Sequence, residues 1–188
     1  MHVYLETERL ILRRFTPEDV DLLAEMDSDP EVMRYLTGGT PTPREKIATE
    51  TLPRALNDYA RGDDLGRWAA IEKATGAFIG WFGLRRHEDS PPGEVELGYR
   101  LRRSAWGKGY ATEGSRALIR KGFAELGVQR VVANTMTVNR ASRRVMEKLG
   151  MTHVRTYFLD WPEAIEGSEH GDVEYALRKE EWERNEWP

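Results

Sequence analysis

The chain has 188 residues, enough for one domain with a sizeable core and too few for two full ones. Hydrophobic residues make up 39% and charged residues 32%, a soluble globular balance, and a net charge of -4 gives no basis for general electrostatic capture of nucleic acid. The absence of cysteine removes disulfides, thiolate metal sites and cysteine nucleophiles together, and points to a reducing compartment.

The opening MHVYLETERL has no basic region followed by an apolar run, and no apolar run approaches the ~20 residues of a membrane span. The expected location is cytoplasmic, with no membrane partner. Glu8 to Phe15 reads as the first strand, alternating Leu10 and Leu12 with Ile11 and Phe15. Thr16, Pro17 and Asp19 then open a helix through Val20, Leu22, Leu23 and Met26 to Asp27. A second short helix starts after Asp29-Pro30 and carries Val32, Met33, Tyr35 and Leu36. Thr42, Pro43 and Glu45 mark a third, running to Tyr59 with Pro53 as a kink or break.

Gly66 to Lys73 and Ala77 to Arg85 form an antiparallel hairpin around Ala74-Thr75-Gly76. Gly80 and Gly83 inside its second strand mark a bulge or the close approach of another backbone. After the turn-forming HEDSPPG comes a strand from Val95 to Arg102, with Leu97, Tyr99 and Leu101 on one face and Glu96, Gly98 and Arg100 on the other. A loop at Ser104–Tyr110 leads into a helix from Ala111 to Leu126, closed by Gly127. Arg130–Met136 is a strand, Asn139 caps a helix ending at Gly150, and Met151–Leu159 and Asp172–Arg178 are the last strands. Lys179–Trp187 reads as a charged helical turn. The order predicts a mixed α/β sheet rather than an alternating doubly wound one.

The chemistry concentrates around Trp106-Gly107-Lys108-Gly109-Tyr110-Ala111. Two glycines at a helix start let the backbone approach a ligand closely, and the unpaired first amides with the macrodipole favour a phosphate or pyrophosphate. The loop is not a Walker A, because no Gly-Lys-Ser/Thr closes it, and it lacks the third glycine of a dinucleotide fingerprint. After the strand ELGYRL, WGKGYATE resembles the acetyl-CoA pyrophosphate loop of the GNAT N-acetyltransferase superfamily. Trp106 stands where that family usually has Arg or Gln, as in its RimJ/RimL-like branch of ribosomal-protein-serine/alanine acetyltransferases. The segment from Asn139 and Ser142 through Glu147, Lys148 and Gly150 to Met151 resembles the family's second motif.

The resemblance covers nearly the whole chain and implies a single N-acetyltransferase domain over residues 1–188. Its fold would be α/β, with a mostly antiparallel sheet of about seven strands and an acetyl-CoA cleft where the central strands splay. It places Leu97, Tyr99, Leu101, Trp106, Gly107, Lys108, Gly109, Tyr110, Ala111, Thr112, Asn139, Ser142 and Arg143 against acetyl-CoA. Asn139 and Ser142 would lie at the pantetheine and thiol end, with Arg143 and Arg144 towards the 3′-phosphate. Glu96 is the candidate general base and Glu94 its runner-up, and Ser142 is preferred to Tyr157 as proton donor to the thiolate. Trp81 and Trp161 could line an acceptor groove. The implied reaction is direct acetyl transfer, in a ternary complex, to a protein N-terminal or small-molecule primary amine. A homodimer through the C-terminal strands is a further expectation from the family.

Two other readings remain at this stage. One is an acyl-CoA-binding regulatory module without catalysis; the other is a phosphate-loop nucleotide enzyme, for which no lysine-serine pair or magnesium carboxylate is placed. The four histidines show no ligand spacing, so no metal is expected, and no Gly-x-Ser-x-Gly elbow supports a serine hydrolase.

Overall fold

The alternating strands assemble into one eight-stranded sheet in the order β1-β2-β3-β4-β5-β6-β8-β7. The computed structural model describes residues 1–185. The strands are β1 (Val3–Glu6), β2 (Leu10–Arg13), β3 (Gly66–Glu72), β4 (Phe78–Arg85), β5 (Glu94–Leu101), β6 (Arg130–Met136), β7 (Thr152–Tyr157) and β8 (Asp172–Arg178). Every neighbouring pair is antiparallel except β5–β6. A parallel pair needs a crossover, and the helix α5 (Tyr110–Glu125) supplies it.

Helices cover both faces. Alternate strand residues such as Leu12, Trp68, Phe82, Leu84 and Val95 pack against Leu118, Ile119 and Phe123 of α5 and Met146 of α6 (Arg140–Lys148). The other face meets α1 (Val20–Asp27), α2 (Pro30–Thr37), α3 (Arg44–Lys46) and α4 (Leu52–Ala60), where Phe15, Met26, Met33, Ile47, Leu52 and Ala55 form a second core. A π-helical turn, Ile47–Thr51, joins α3 to α4. Pro53 has no N–H to donate, and this wider turn carries the helix through the position where a kink or break was expected. Thus Val95, Leu97 and Leu101 of β5 are buried against α5, while Glu96, Gly98 and Arg100 belong to the opposite face.

Specific polar contacts fix the α1–α4 layer. Asp27, the last residue of α1, accepts two hydrogen bonds from Arg100 Nη1, each 3.0 Å, tying that helix to the C-terminal end of β5. Asp19 accepts a fork from Arg13 at 2.8 Å and 2.8 Å and caps Thr16 N–H at 2.8 Å. Burial alone would push its carboxyl up, but the Arg13 and Thr16 hydrogen bonds outweigh it and hold Asp19 below the usual range. Tyr59 of α4 accepts from Phe15 N–H at 3.0 Å and donates to the Arg67 carbonyl, fastening α4 over β3.

The sheet has one strand more than the seven read from the sequence. Glu8 and Arg9, expected inside the first strand, form a tight turn with Thr7, whose Oγ1 accepts Leu10 N–H at 3.0 Å. The freed N-terminal residues make edge strand β1, whose Tyr4 stacks on Trp68 with ring centroids 3.8 Å apart. The charged tail is helical over α7 (Lys179–Arg184), and the part expected to reach Trp187 lies outside the described residues.

The anticipated bulge falls at Gly80. Its φ of +145° and a register shift between Ala70 and Ile71 let the Arg100 carbonyl come so close that a Cβ there would sit 2.1 Å from it. Gly80→Ala therefore forces backbone apart, and the expected loss is about 2 kcal/mol or more. Calorimetry should show a melting temperature lower by roughly 4–8 °C, at 2–4 °C per kcal/mol for a chain of this size; an unchanged melt would refute the close approach.

Candidate active site

The site begins where β5 and β6 part. Their parallel pairing covers only Glu94–Arg130, Val95–Val131 and Glu96–Val132. β5 continues along β4 as far as Leu101–Gly80, and β6 continues along β8 as far as Met136–Asp172. From Leu97 onwards the facing edges of the two strands have no strand partner among the described residues. Backbone polar groups left this way demand hydrogen bonds from water or a ligand.

At the end of β5 the chain turns through Gly107 (φ +70°) and Gly109 (φ +82°) into α5. Both conformations are left-handed and strain any side chain. Gly109 provides no side-chain cap, and among the described residues no protein acceptor takes the amides of Gly107 to Thr112. That row of free donors at the positive end of a 16-residue helix fits an anionic pyrophosphate. Trp106 lies 45% exposed at the rim, its indole N–H tied back to the Leu101 carbonyl at 3.0 Å. Tyr110 instead points its ring inward and donates to Glu72, so only its amide faces the loop. Arg9 braces the loop from beneath. It donates to the Lys108 carbonyl at 2.9 Å, pairs with Glu113 at 3.3 Å and lies over the Tyr110 ring at 4.2 Å. A groove of about 830 Å³ runs from Arg9, Gly109 and Thr112 along α5 to Lys148.

Glu96 occupies the last paired position before the fork. Asn134 Nδ2 of β6 donates to its Oε2 at 2.9 Å, while His87 Nε2 at 3.2 Å and Arg85 Nη2 at 3.7 Å meet Oε1. Tyr157 O–H donates to Asn134 Oδ1 at 2.9 Å, extending the network across β6 to β7. Beside Glu96, Gly98 has no side chain, and the Trp81 ring lies about where its Cβ would touch, 3.5 Å away. Glu94 is committed to an ion pair with Arg130.

Across the fork, Tyr99 O–H and Ser142 Oγ are 2.8 Å apart, bridging β5 to α6. Burial pushes the Tyr99 phenol up to about 12, against a smaller lowering by Ser142, so it is protonated at all ordinary pH values. Asn139 caps α6 by accepting Ser142 N–H at 3.3 Å and donates to Thr135 Oγ1 at 3.0 Å. Arg143 turns back into the fold, donating to the Thr137 carbonyl at 3.0 Å and to Tyr175 Oη at 3.2 Å. Leu97 and Leu101 are core side chains, so only their backbone is open to a ligand.

The structure thus gathers Glu96, Tyr99, Ser142 and the glycine loop around one fork. Tyr157 joins the Glu96 network rather than Ser142. Arg9, Arg85, His87 and Asn134 escaped the sequence reading. The hairpin register carried a trace of two of them: Arg85 pairs with Glu96, which brings His87 around the turn onto the same carboxylate.

A fork of this kind beside a helix start with unpaired amides suits an acyl-CoA-dependent transferase. The acetyltransferase (GNAT) domain family matches residues 9–152, and the chain belongs to that family of acetyl-CoA-dependent acetyltransferases. It is 36% identical over 191 residues to the FsC-acetyl coenzyme A-N(2)-transacetylase of Aspergillus fumigatus, covering 98% of this chain and 80% of that protein. It is also 36% identical over 145 residues to the uncharacterized N-acetyltransferase p20 of Bacillus licheniformis, covering 77% of this chain and 80% of that one. The fold matches a solved RimL ribosomal L7/L12 alpha-N-protein acetyltransferase in complex with coenzyme A, at a TM-score of 0.75 and 18% identity over 94% of this chain and 98% of that one.

Because Arg9 holds the loop through Lys108 and Glu113, Arg9→Gln should raise the KM for acetyl-CoA about 5–10-fold, the loss of one or two hydrogen bonds. Steady-state kinetics would show this with kcat little changed; an unaltered KM would remove Arg9 from the site.

Proposed function

We propose that the protein transfers acetyl from acetyl-CoA to a primary amine in a ternary complex, with Glu96 receiving the amine and Ser142, supported by Tyr99, serving the departing thiolate. The observation that carries this reading is the division of the fork: a buttressed carboxylate at its base on the α1–α4 face, and a hydroxyl pair across it on the α5–α6 side. The family loop and the name of the Aspergillus relative, an N(2)-transacetylase, agree with an amine acceptor.

Acetyl-CoA supplies an activated thioester. The loop amides of Gly107 to Thr112 hold its phosphates, and the free edge of β5 offers N–H donors to the charge growing on the carbonyl oxygen. The amine must be neutral to attack. Glu96 is fixed by Asn134, with Arg85 and His87 at its other oxygen, and it accepts the amine proton directly or through one water; half-exposed His87 leads from it to solvent. The C–N bond forms and the C–S bond breaks. The thiolate takes the proton of the Ser142 hydroxyl as Tyr99 O–H passes its own to Ser142 Oγ, and water returns a proton to Tyr99 while Glu96 releases the amine proton to solvent. No covalent enzyme intermediate is needed, in keeping with a chain without cysteine.

Thiol release with a panel of amines and N-terminal peptides tests the reading. One acceptor class should support turnover, and kcat/KM should rise up to tenfold per pH unit until the amine is deprotonated, because protonation removes the nucleophile's lone pair. Glu96→Gln should lower kcat by about 10²–10⁴-fold. A flat pH profile with a fully active Glu96→Gln variant would remove Glu96 from the chemistry. A melting shift with acetyl-CoA but no turnover would leave a binding module instead.

A further inference from the structure

A second concavity, about 310 Å³, opens on the α1–α4 face, with Arg85, the neighbour of Glu96, in its wall. Its walls come from α4 and the residues after it, from β3, and from the end of β4. They bring five guanidinium groups, Arg54, Arg61, Arg67, Arg85 and Arg86, together with one carboxylate, Asp58. In a chain of net charge -4 this is a local excess of positive charge. The existing partners offset it only in part. Arg61 pairs with Asp58 at 3.1 Å and with Asp63 at 3.8 Å, Arg85 meets Glu96 at 3.7 Å, and Arg54 reaches Glu50 at 3.8 Å. Arg67 has no ion pair among the described residues; its Nε is buried without a hydrogen-bond partner, and its guanidinium lies 5.1 Å from the Trp81 ring centroid. Burial first, then the charges of Arg85 and Arg100, bring the Arg67 guanidinium down to about 10. Like charges gathered in a partly desolvated concavity repel one another, and an anion seated among them reverses that cost. Guanidinium forks also match carboxylate and phosphate oxygens in geometry.

We propose that this arginine pocket holds the anionic group, carboxylate or phosphate, of the amine acceptor, so that the substrate is a small amine carrying its own negative charge. The inference rests on the amine-acetylation reading above. Arg85 connects the two halves, since it both walls the pocket and touches Glu96. A molecule with its anion in the pocket and a chain long enough to pass Arg85 presents its amine to the carboxylate at the fork. A neutral amine gains none of these contacts.

The test uses matched amines: ω-amino carboxylates of two to six carbons against their amides, and 2-aminoethyl phosphate against ethanolamine, compared per unit of free amine. At least one anionic member should exceed its neutral partner tenfold or more in kcat/KM, and the carboxylate and phosphate series tell the two anions apart. In the surface variant Arg54→Gln/Arg86→Gln, and separately in Arg67→Gln, the KM of that substrate should rise about tenfold and the preference fall towards one. Inorganic phosphate, added with CoA saturating so that the helix loop is occupied, should raise the melting temperature of the parent protein and not of the double variant. Neutral partners used as well as anionic ones, or a phosphate shift that survives the substitutions, would overturn the proposal. No turnover with any amine, alongside a phosphate shift lost in the variants, would instead contradict the amine-acetylation reading and leave the anion pocket standing.

Discussion

The early parting of β5 from β6 is the constraint on which the rest of the molecule depends. Three paired positions hold the strands together, and then each keeps its outer neighbour and loses the inner one. Few folds leave two strand edges open in the middle of a sheet, because unpaired backbone groups there are costly unless something binds them. Here the opening is held by side chains rather than ladder bonds. Asn134 reaches Glu96 on one face, and Tyr99 meets Ser142 on the other. The open edges of the fork point to the same place as the first turn of α5, where the crossover helix required by a parallel pair also presents its unpaired amides.

The two faces have different chemistry because the strand alternates. The α5–α6 side of β5 is apolar apart from the Tyr99 hydroxyl, and it meets the capped start of α6. The α1–α4 side carries Glu94, Glu96 and Arg100 among arginines and Trp81. Asp27–Arg100 and Tyr59 pin the helices that cover this face, so its polar groups sit in a partly enclosed layer rather than on open surface. Acetyl donor and acceptor can therefore approach one bond from opposite sides of the sheet.

Much of this was legible in the sequence because it depends on local rules. Strand alternation, the Asn139 cap, the Gly80 bulge and the double-glycine helix start are each set by a few consecutive residues. What was not legible depends on contacts distant in sequence. Arg9 reaches Lys108 and Glu113 from a turn that looked like strand interior. Arg143, expected against the cofactor, also donates to the Thr137 carbonyl and to Tyr175 of β8. Asn134 looked like an ordinary strand residue until β5 and β6 were set side by side. The arginine pocket draws on α4, β3 and β4, and no single stretch shows it.

The most direct measurement of the central claim is amide hydrogen exchange with and without coenzyme A. If the fork and the helix start together form the seat of the cosubstrate, amides in β5 beyond Glu96 and in the loop from Gly107 to Thr112 should slow on binding. Those of the outer strands β1 and β2 should not change. Protection confined to other regions, or absent from both stretches while coenzyme A is bound, would contradict the account.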